Sequence, residues 1–480
     1  MKPMHRQRLA YSLGLLLVAG CAAPPEAPRP ALVLPAAWTV EAPWREARPD
    51  DAAFKGPWWQ RFGDPQLDAL QAQALAGNAT LAVAAARLVQ ARAVVDASSA
   101  ALFPQLTLGT RAARQRISAN RPLSNYASPN ASTVQNDFVA SLGVAYEVDL
   151  AGRVQRSLEG VEAAAEQSAA DLENTRLVLG ADLAASYFNL RATDTELDVL
   201  QRAIALQRRA LGLVTARHEL GAVSGLEVAQ QRALLDTTLT QLDLLRRQRG
   251  IFEHAIATLT GSAAPGFAVA ADPREIVPPA VPLGVPSDLL ERRPDVAAAE
   301  RAMAVANAQI GVATAAFYPS ITLGPSIGVQ SRSLASLFDA PSLLWSFGVA
   351  LATPLFDAGR LRANVAFARA GHDAAAASYR RVVLTAMQEV EDGILGVAAL
   401  GSALTQARTA VASAQRVLDM ATARYEGGAS GTLEVITAQQ ALLAAERLAS
   451  QLRGQRLLAT VYLVKALGGG WEPQPALARR

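Results

Sequence analysis

Histidine and cysteine, the side chains that most often carry chemistry, are rare in this chain. Its four histidines are His5, His218, His254 and His372, and their positions show none of the spacings that are typical of metal ligands. The chain has neither a nucleophile-elbow serine motif nor a phosphate-binding glycine loop. The sequence therefore predicts no enzyme, no metal site and no cofactor other than a covalent lipid.

That lipid is predicted at the single cysteine, Cys21. Basic residues near the N-terminus precede a short apolar stretch that ends in Val18-Ala-Gly-Cys21, a pattern typical of a secretory signal peptide. The tetrapeptide resembles the bacterial lipobox, whose cysteine carries the lipid, with palmitate among its acyl chains, and becomes the first mature residue. Ala22 and Ala23 stand where lipoproteins of the inner membrane typically have aspartate, which favours the outer membrane. An ordinary signal peptide with an incidental cysteine is the alternative.

Charge along the chain is nearly balanced. The 45 basic and 42 acidic residues give a net charge of +3 and are interspersed. No basic patch favours a nucleic-acid partner. The sequence therefore predicts no binding of nucleic acid.

Two segments of the chain occur twice. Residues 99–109 (SAALFPQLTLG) return at 314–324 (TAAFYPSITLG), and residues 217–228 (RHELGAVSGLEV) return at 424–435 (RYEGGASGTLEV). The displacements are 215 and 207 residues, which is too long for a small solenoid repeat. We therefore expect an internal tandem duplication, with eight additional residues in the first surface loop.

Proline-free tracts predict very long helices. Proline is absent from 130–264 and from 355–472, and the first tract carries a coiled-coil-like apolar stripe that predicts one helix over 153–219. Glycine-containing segments then reverse the chain into second helices over about 226–259 and 433–467. Shorter helices are expected over 81–101 and 294–316.

Alternating segments predict membrane-spanning strands. Large apolar residues alternate with small or polar ones over 138–148, 321–330 and 343–352, as in transmembrane β-strands with one face toward lipid. A soluble sandwich strand is the alternative for any one of these segments. The residues expected to face lipid are Phe138, Leu142, Tyr146, Trp345 and Phe347.

Four strands cannot close a barrel in a membrane, because an open edge leaves backbone groups unpaired in lipid. The missing strands must come from other copies of the chain. Three copies give a barrel of twelve strands with room for a lumen, whereas two copies give a barrel filled by side chains. The predicted fold is a membrane α+β protein: a homotrimeric twelve-stranded transmembrane β-barrel, with four strands per chain, continued by a long α-helical barrel.

Motifs along nearly the whole mature chain resemble the outer membrane factors of tripartite efflux pumps, which are TolC-like, and in particular their NodT-type lipoprotein branch. The resemblance rests on residues 58–70 (WWQRFGDPQLDAL), 292–300 (RRPDVAAAE), 310–319, 356–360 (FDAGR), 424–428 (RYEGG) and 465–471 (KALGGGW). It implies an outer-membrane homotrimer that extends into the periplasm. It also implies a periplasmic adaptor protein and an inner-membrane transporter, expected to be of the RND type, with passive export of drugs or other toxic compounds.

The resemblance also implies where the gate lies. In this family two helix-turn-helix tips close the pore and contact the adaptor, and they correspond here to residues 217–228 and 424–435. Many multidrug members have aspartates at the second tip, whereas this chain has Ala429, Ser430 and Gly431. Solvated turn charges without a role in gating are the alternative. The candidate gate and adaptor-contact residues are Arg217, Glu219, Gly221, Arg424, Glu426, Gly428 and Ser430, with the two arginines as ion-pair partners for the two glutamates.

The expected domains follow from these elements. They are a signal peptide (1–20), a lipidated extended segment (21–66), a first repeat (67–264), a proline-rich linker (265–286), a second repeat (287–467) and a tail (468–480). Two other functions fit parts of the sequence: a type I protein secretion channel and a structural coiled-coil lipoprotein without a pore.

Overall fold

The computed structural model describes residues 57–120, 133–281 and 293–469. They fall into two compact units: a strand unit, Leu88–Gln167 with Ala299–Ser378, and a helix unit, which contains the described parts of Ala31–Arg87, Ser168–Ala298 and Tyr379–Arg480. The expected signal peptide, Cys21 and most of the 21–66 segment lie outside the described residues. So do the centre of the first hairpin loop, the end of the linker and residues 470–480.

The helices and strands of the described residues are listed here in chain order. They are α1 (Pro65–Gly77), α2 (Ala79–Ser99), β1 (Gln105–Ile117), β2 (Thr133–Val148), α3 (Arg153–Glu219), α4 (Gly225–Leu259), α5 (Pro294–Ala315), β3 (Ser320–Leu323), β4 (Ser326–Ser331), β5 (Leu343–Ser346), β6 (Val349–Ala352), α6 (Arg360–Glu426) and α7 (Thr432–Ala466). A 3-10 helix at Trp58–Phe62 precedes α1. These five residues belong to the segment 21–66, which was expected to be extended, and they are helical instead.

The four long helices occur as two pairs of equal length. Helices α3 and α6 have 67 residues each, and α4 and α7 have 35 each. At 1.5 Å per residue, the longer helices measure about 100 Å. Helix α3 has the predicted bounds, 153–219, and no proline interrupts its backbone hydrogen bonds.

One 18-residue window of α6 is apolar enough to cross a membrane by length and composition alone, and α1 and α2 together pass the same test. This is weak evidence for a membrane-spanning helix, because the core helix of a soluble protein passes the same test. Within that window at most two residues are charged.

The strands of the strand unit pair antiparallel. Strand β2 pairs with β1 along the full length of β1, from Gln105 opposite Ala145 to Ile117 opposite Thr133. On its other side β2 pairs with β4 and β3, which pair in turn with β5 and β6. Strand β2 begins at Thr133, before the alternating pattern that predicted it, because polar residues can extend a ladder beyond its apolar band.

The third and fourth expected strands are each divided in two, which corrects the expectation of continuous strands. Pro325 separates β3 from β4 because proline has no backbone N–H to donate to a ladder. Its carbonyl still accepts a 2.8 Å hydrogen bond from the Val144 amide. The Gly324 amide donates to the Gly348 carbonyl at 3.0 Å, so the two interruptions lie next to each other.

The two faces of the sheet differ in chemistry. One face carries large apolar residues: Leu106, Leu108, Phe138, Leu142, Tyr146, Ile327 and Trp345. The other face carries mostly small or polar residues, Thr107, Gly109, Ser141, Gly143, Ser326, Gly328 and Ser346, together with Val139 and Leu344. The polar face also carries Asp137, which is 7% exposed and accepts hydrogen bonds from Arg111 and, at 2.7 Å, from Gln330.

The helix unit is organised around a buried ionic network on α3. Arg191 is 2% exposed and donates to the Asp194 carboxylate at 2.9 Å, to the Ala270 carbonyl at 2.7 Å and to the Tyr187 hydroxyl at 3.0 Å. Tyr187 donates in turn to Asp64 at 2.6 Å. Burial and, after it, the hydrogen bond to Asp64 raise the pKa of Tyr187, so its hydroxyl stays protonated as a donor.

This network fastens both α1 and the linker to α3. Asp64 caps α1 by accepting from the Gln66 amide at 3.0 Å. Arg249 of α4 binds Asp194 at 2.6 Å and the Val269 carbonyl of the linker at 2.6 Å. The N-terminal segment, two long helices and the linker therefore share one set of buried charges.

Two helix ends in this unit are capped by equivalent contacts. The Asn78 amide donates to the Leu259 carbonyl at the end of α4, at 2.9 Å. Arg293, 215 positions after Asn78, donates to the Ala466 carbonyl at the end of α7, at 3.0 Å. Both side chains satisfy carbonyls that a helix end leaves unpaired.

Replacing Arg191 should lower stability far more than replacing an exposed arginine. Arg191→Ala leaves Asp194 without one of its buried partners, and we expect a loss of about 3–5 kcal/mol in the free energy of unfolding. Arg202→Ala is the matched control, because its 3.5 Å pair with Asp198 on the same helix is largely exposed and should cost less than about 1 kcal/mol. Thermal unfolding of the detergent-solubilised protein measures both; equal shifts would contradict the importance of the network.

Candidate gate and partner-contact site

The two predicted tips, residues 217–228 and 424–435, lie in the helix unit and reverse the chain with the same backbone geometry. Gly221 has φ 74°, and the Ala222 amide next to it donates to the Arg217 carbonyl at 2.9 Å. In the second tip Gly428 has φ 73° and is followed by the same type of bond at 2.8 Å. These are Schellman motifs, which need a residue in the left-handed conformation. The two glycines were predicted as gate residues, and their backbone conformation gives them a structural role.

Arg217 joins the two tips through an aromatic ring. Its guanidinium carbon lies 4.5 Å from the centroid of the Tyr425 ring, and its Nη1 donates to the Tyr425 carbonyl at 3.4 Å. Tyr425 is 6% exposed, and its hydroxyl has no hydrogen-bond partner in the described chain. The contact is therefore made by the ring and the backbone, and the hydroxyl contributes nothing to it.

Two polar contacts accompany this cation–π contact. The Thr432 hydroxyl, at the start of α7, donates to Glu227 in the first turn of α4. Arg424 lies 3.6 Å from Glu434, and both side chains are more than half exposed. An ion pair of this kind contributes about 0–1 kcal/mol. Of these two polar contacts, only the one between Thr432 and Glu227 joins the tips, because Arg424 and Glu434 both belong to the second tip.

The predicted ion pairs of the tips do not form within one chain. In the described residues Arg424 pairs with Glu434 and not with Glu426, and Arg217 contacts Tyr425 and not Glu219. Glu219 and Glu426 are both exposed. Ser430 has a buried hydroxyl without a hydrogen-bond partner in the described chain.

Three exposed leucines complete the surface of the tips. Leu220 is 84% exposed, Leu226 66% and Leu433 61%. Leu226 and Leu433 occupy equivalent positions at the starts of α4 and α7, whereas Leu220 is matched by Gly427 in the second tip. Apolar side chains this exposed at a helix reversal suit contact with another protein.

Behind the tips, two apolar clusters follow each other along the long helices. The nearer cluster contains Val214, Leu418, Tyr425 and Val435. The farther cluster contains residues of α3 and α4 together with Leu443 of α7. Three glutamines on these helices are buried as well: Gln207, Gln231 and Gln439, of which the last two are hydrogen-bonded at 3.4 Å.

Sequence reasoning missed Tyr425, Glu227 and Thr432. Tyr425 continues the apolar spacing of Leu418 and Ala421 on α6, so its burial was open to prediction. Its contact with Arg217 was not, because the two residues are 208 positions apart in the sequence. Glu227 and Thr432 lie within the two predicted segments, but nothing in the sequence singled them out.

The other predicted site residues lie in the strand unit or beyond the described chain. Phe138, Leu142, Tyr146 and Trp345 share the apolar face of the sheet, with Trp345 73% exposed. Phe347, which is 69% exposed, lies in the interruption between β5 and β6 and not in a strand.

The arrangement offers contact surfaces and no reactive group. Across residues 57–120, 133–281 and 293–469, no cluster of three or more histidine, cysteine or acidic residues could hold a metal ion.

Comparison with known proteins identifies the family. The family profile described as outer membrane efflux protein matches residues 70–262 and 285–469. The pyoverdine export outer membrane protein OpmQ of Pseudomonas aeruginosa is 33% identical over 479 residues, which cover 99% of this chain and 100% of that protein. The toluene efflux pump outer membrane protein TtgF of Pseudomonas putida is 33% identical over 477 residues, covering 98% of this chain and 97% of that protein.

Solved structures agree with this assignment. The outer-membrane channel OprN matches with a TM-score of 0.84 at 30% identity, and the match covers 92% of this chain and 99% of that one. The fold of this chain is thus that of a known outer-membrane channel. The chain belongs to the outer membrane efflux protein family, a family of outer-membrane channels and not of enzymes.

Proposed function

We propose that three copies of this chain form an outer-membrane channel that passively exports small molecules. The observation that carries this proposal is the sheet of the strand unit. One of its faces is apolar, the other is small or polar, and its outer strands β1, β5 and β6 each have only one partner strand among the described residues. Such a sheet satisfies its backbone in lipid only by pairing with further strands.

A trimer of twelve strands fits this sheet best. Eight strands enclose an interior filled by side chains, whereas twelve leave a lumen for the small and polar face to line. The long helices of the three chains would then form the α-helical barrel in the periplasm. An internal tandem duplication is supported by the equal lengths of α3 and α6 and of α4 and α7, and it would give a trimer six similar helical hairpins.

The partners and the cargo follow from the family. The channel would receive its cargo from an inner-membrane transporter, of the RND type, through a periplasmic adaptor protein. Relatives are named for pyoverdine export and for toluene efflux, and both names describe small organic molecules. Drugs, solvents or siderophores are therefore the expected cargo, in preference to the proteins of a type I secretion system.

Deleting the gene for this protein from its host should test the export function directly. We expect greater sensitivity to dyes, antibiotics or organic solvents, and recovery when the gene is returned on a plasmid. Unchanged sensitivity to every compound class, together with loss of a secreted protein, would favour the protein secretion alternative.

The oligomeric state tests the architecture. Light scattering of the detergent-solubilised chain should give the mass of three copies, because only added strands close the sheet. A stable monomer would contradict the channel and favour a structural lipoprotein without a pore.

The tips would form both the periplasmic gate and the adaptor contact. This assignment is supported by the cation–π contact of Arg217 with Tyr425, which joins the tips, and by the exposed leucines beside them. Contacts of this strength can be broken when an adaptor binds, whereas a buried ionic gate would resist opening. The chain has no aspartate at the second tip, so the gate would rely on the Arg217 and Tyr425 contact.

Weakening this contact should open the closed channel. A cation–π contact of this kind contributes about 0.5–1 kcal/mol, so Arg217→Ala and Tyr425→Leu should each raise the conductance in a planar bilayer by about two- to five-fold. Tyr425→Phe is the matched control: it keeps the ring and loses only a hydroxyl without a partner, so its conductance should equal that of the wild type. If all three variants conduct like the wild type, the contact is not part of the gate.

Cys21 would carry a lipid that anchors the mature chain to the outer membrane. The native protein should have the mass of a chain that begins at Cys21 and carries acyl groups, and cells should incorporate labelled palmitate into it. Cys21→Ser should lose the label. A wild-type protein of unmodified mass would show that the segment is an ordinary signal peptide.

A further inference from the structure

We propose that the tips of neighbouring copies are joined by Arg424 and Glu434 of one copy, which contact His218 and Gly225 of the partner subunit. This inference rests on the proposed function, because it takes three copies to place their tips in one ring. It deepens that function by identifying the surface through which one copy contacts the next at the gate.

Two contacts that join the tips within one chain follow one pattern. Arg217 of the first tip lies over the ring of Tyr425 in the second, and Glu227 of the first tip accepts a hydrogen bond from Thr432 of the second. The first tip thus supplies a guanidinium group and a carboxylate, and the second supplies a ring and a hydroxyl. All four side chains are buried or half-buried. One side of the first tip is therefore matched to one side of the second.

Each of these four residues has a counterpart in the other tip. A displacement of 207 residues relates the two tips. The counterparts of the two first-tip residues are Arg424 and Glu434, and those of the two second-tip residues are His218 and Gly225. All four counterparts are exposed in the single chain. The second tip therefore repeats the guanidinium group and the carboxylate, and the first tip repeats a ring, at positions that lie open.

These counterparts lie on the outer sides of the two tips. Two residues along a helix change the side-chain direction by about 200°, so Gly225 and Glu434 point away from the hydrogen bond that joins the tips within the chain. On one outer side Arg424 lies 3.6 Å from Glu434. On the other, the His218 ring lies beside Gly225, where a Cβ would be 3.8 Å from Nε2 of the ring.

A ring of six tips brings the two outer sides together. First and second tips alternate around a trimer, so the second tip of each copy meets the first tip of the next. The contact pattern found within the chain then places Arg424 over the ring of the partner subunit's His218. It places Glu434 against the partner subunit's Gly225, next to Nε2 of that ring.

The imidazole of His218 suits both groups. Its Nδ1 lies 2.9 Å from the Val223 carbonyl, which can only accept, so Nδ1 carries a hydrogen and Nε2 is the nitrogen that gains or loses a proton. A neutral Nε2 accepts a hydrogen bond from Arg424 of the adjoining copy, and a protonated one donates to Glu434. The ring therefore has a partner in either protonation state.

Pairs of cysteines test this surface. The chain with Gly225→Cys and Glu434→Cys is purified as a trimer, treated with a short bifunctional maleimide and separated on a denaturing gel. We expect most of the protein as covalent dimers and trimers, because the two cysteines of one chain face different copies. The closest substitutes at Gly225 support this choice, since a Cβ there makes only ordinary contacts. His218→Cys with Arg424→Cys is a second outer pair and should give the same pattern.

Glu227→Cys with Thr432→Cys is the matched control. These two residues contact each other within the chain, so the reagent should link them without raising the mass above that of a monomer. Monomer mass for both outer pairs, in preparations that light scattering shows to be trimeric, would overturn the proposal. Covalent dimers and trimers from the control pair would overturn it as well, because inner and outer sides would then not differ. A wild-type chain that light scattering finds as a monomer would instead contradict the proposed function.

Discussion

The structure depends on one constraint: backbone N–H and C=O groups in lipid must be paired. A single chain supplies one sheet, with β1 at one edge and the broken strand β5 and β6 at the other, and neither edge has a second partner in the described residues. In the proposed trimer the chain would meet this constraint by assembling with copies of itself. The symmetric channel, its lumen and the grouping of its long helices would all follow from this requirement.

Stability is distributed unevenly over the helix unit. Its body is fixed by buried charges: Arg191 donates hydrogen bonds to Asp194 and to the Tyr187 hydroxyl, away from solvent. Its tips are joined by the cation–π contact of Arg217 with Tyr425, by the hydrogen bond of Thr432 to Glu227 and by the apolar cluster that includes Tyr425 and Val435. Breaking the buried network costs several kcal/mol, whereas the cation–π contact contributes about 1 kcal/mol. In the proposed gate, this difference would let the tips separate while the body of the helix unit stays intact.

Much of this fold was open to prediction because its signals are local. The absence of proline and the apolar stripe predicted α3 as one uninterrupted helix, and side-chain alternation predicted the faces of β2. Features that join distant segments were not accessible: the Arg217 contact with Tyr425 spans 208 positions, and the buried network draws its partners from the N-terminal segment and the linker. The strand interruption at Pro325 could be predicted from the proline itself. The position of this interruption beside Gly348 depends on the register between strands.

The matched lengths of the helices restrict how such a chain can change during evolution. Arg447 of α7 binds Glu196 of α3 at 2.7 Å through its Nε, and Thr432 of α7 binds Glu227 of α4 near the tips. A residue inserted into α3 between Glu196 and the tip would move the tip by about 1.5 Å along the helix axis and rotate it by about 100°. Both contacts survive only if the partner helices lengthen together. The hairpin loops carry no such constraint, and the eight-residue difference between the two repeats falls in the hairpin segment.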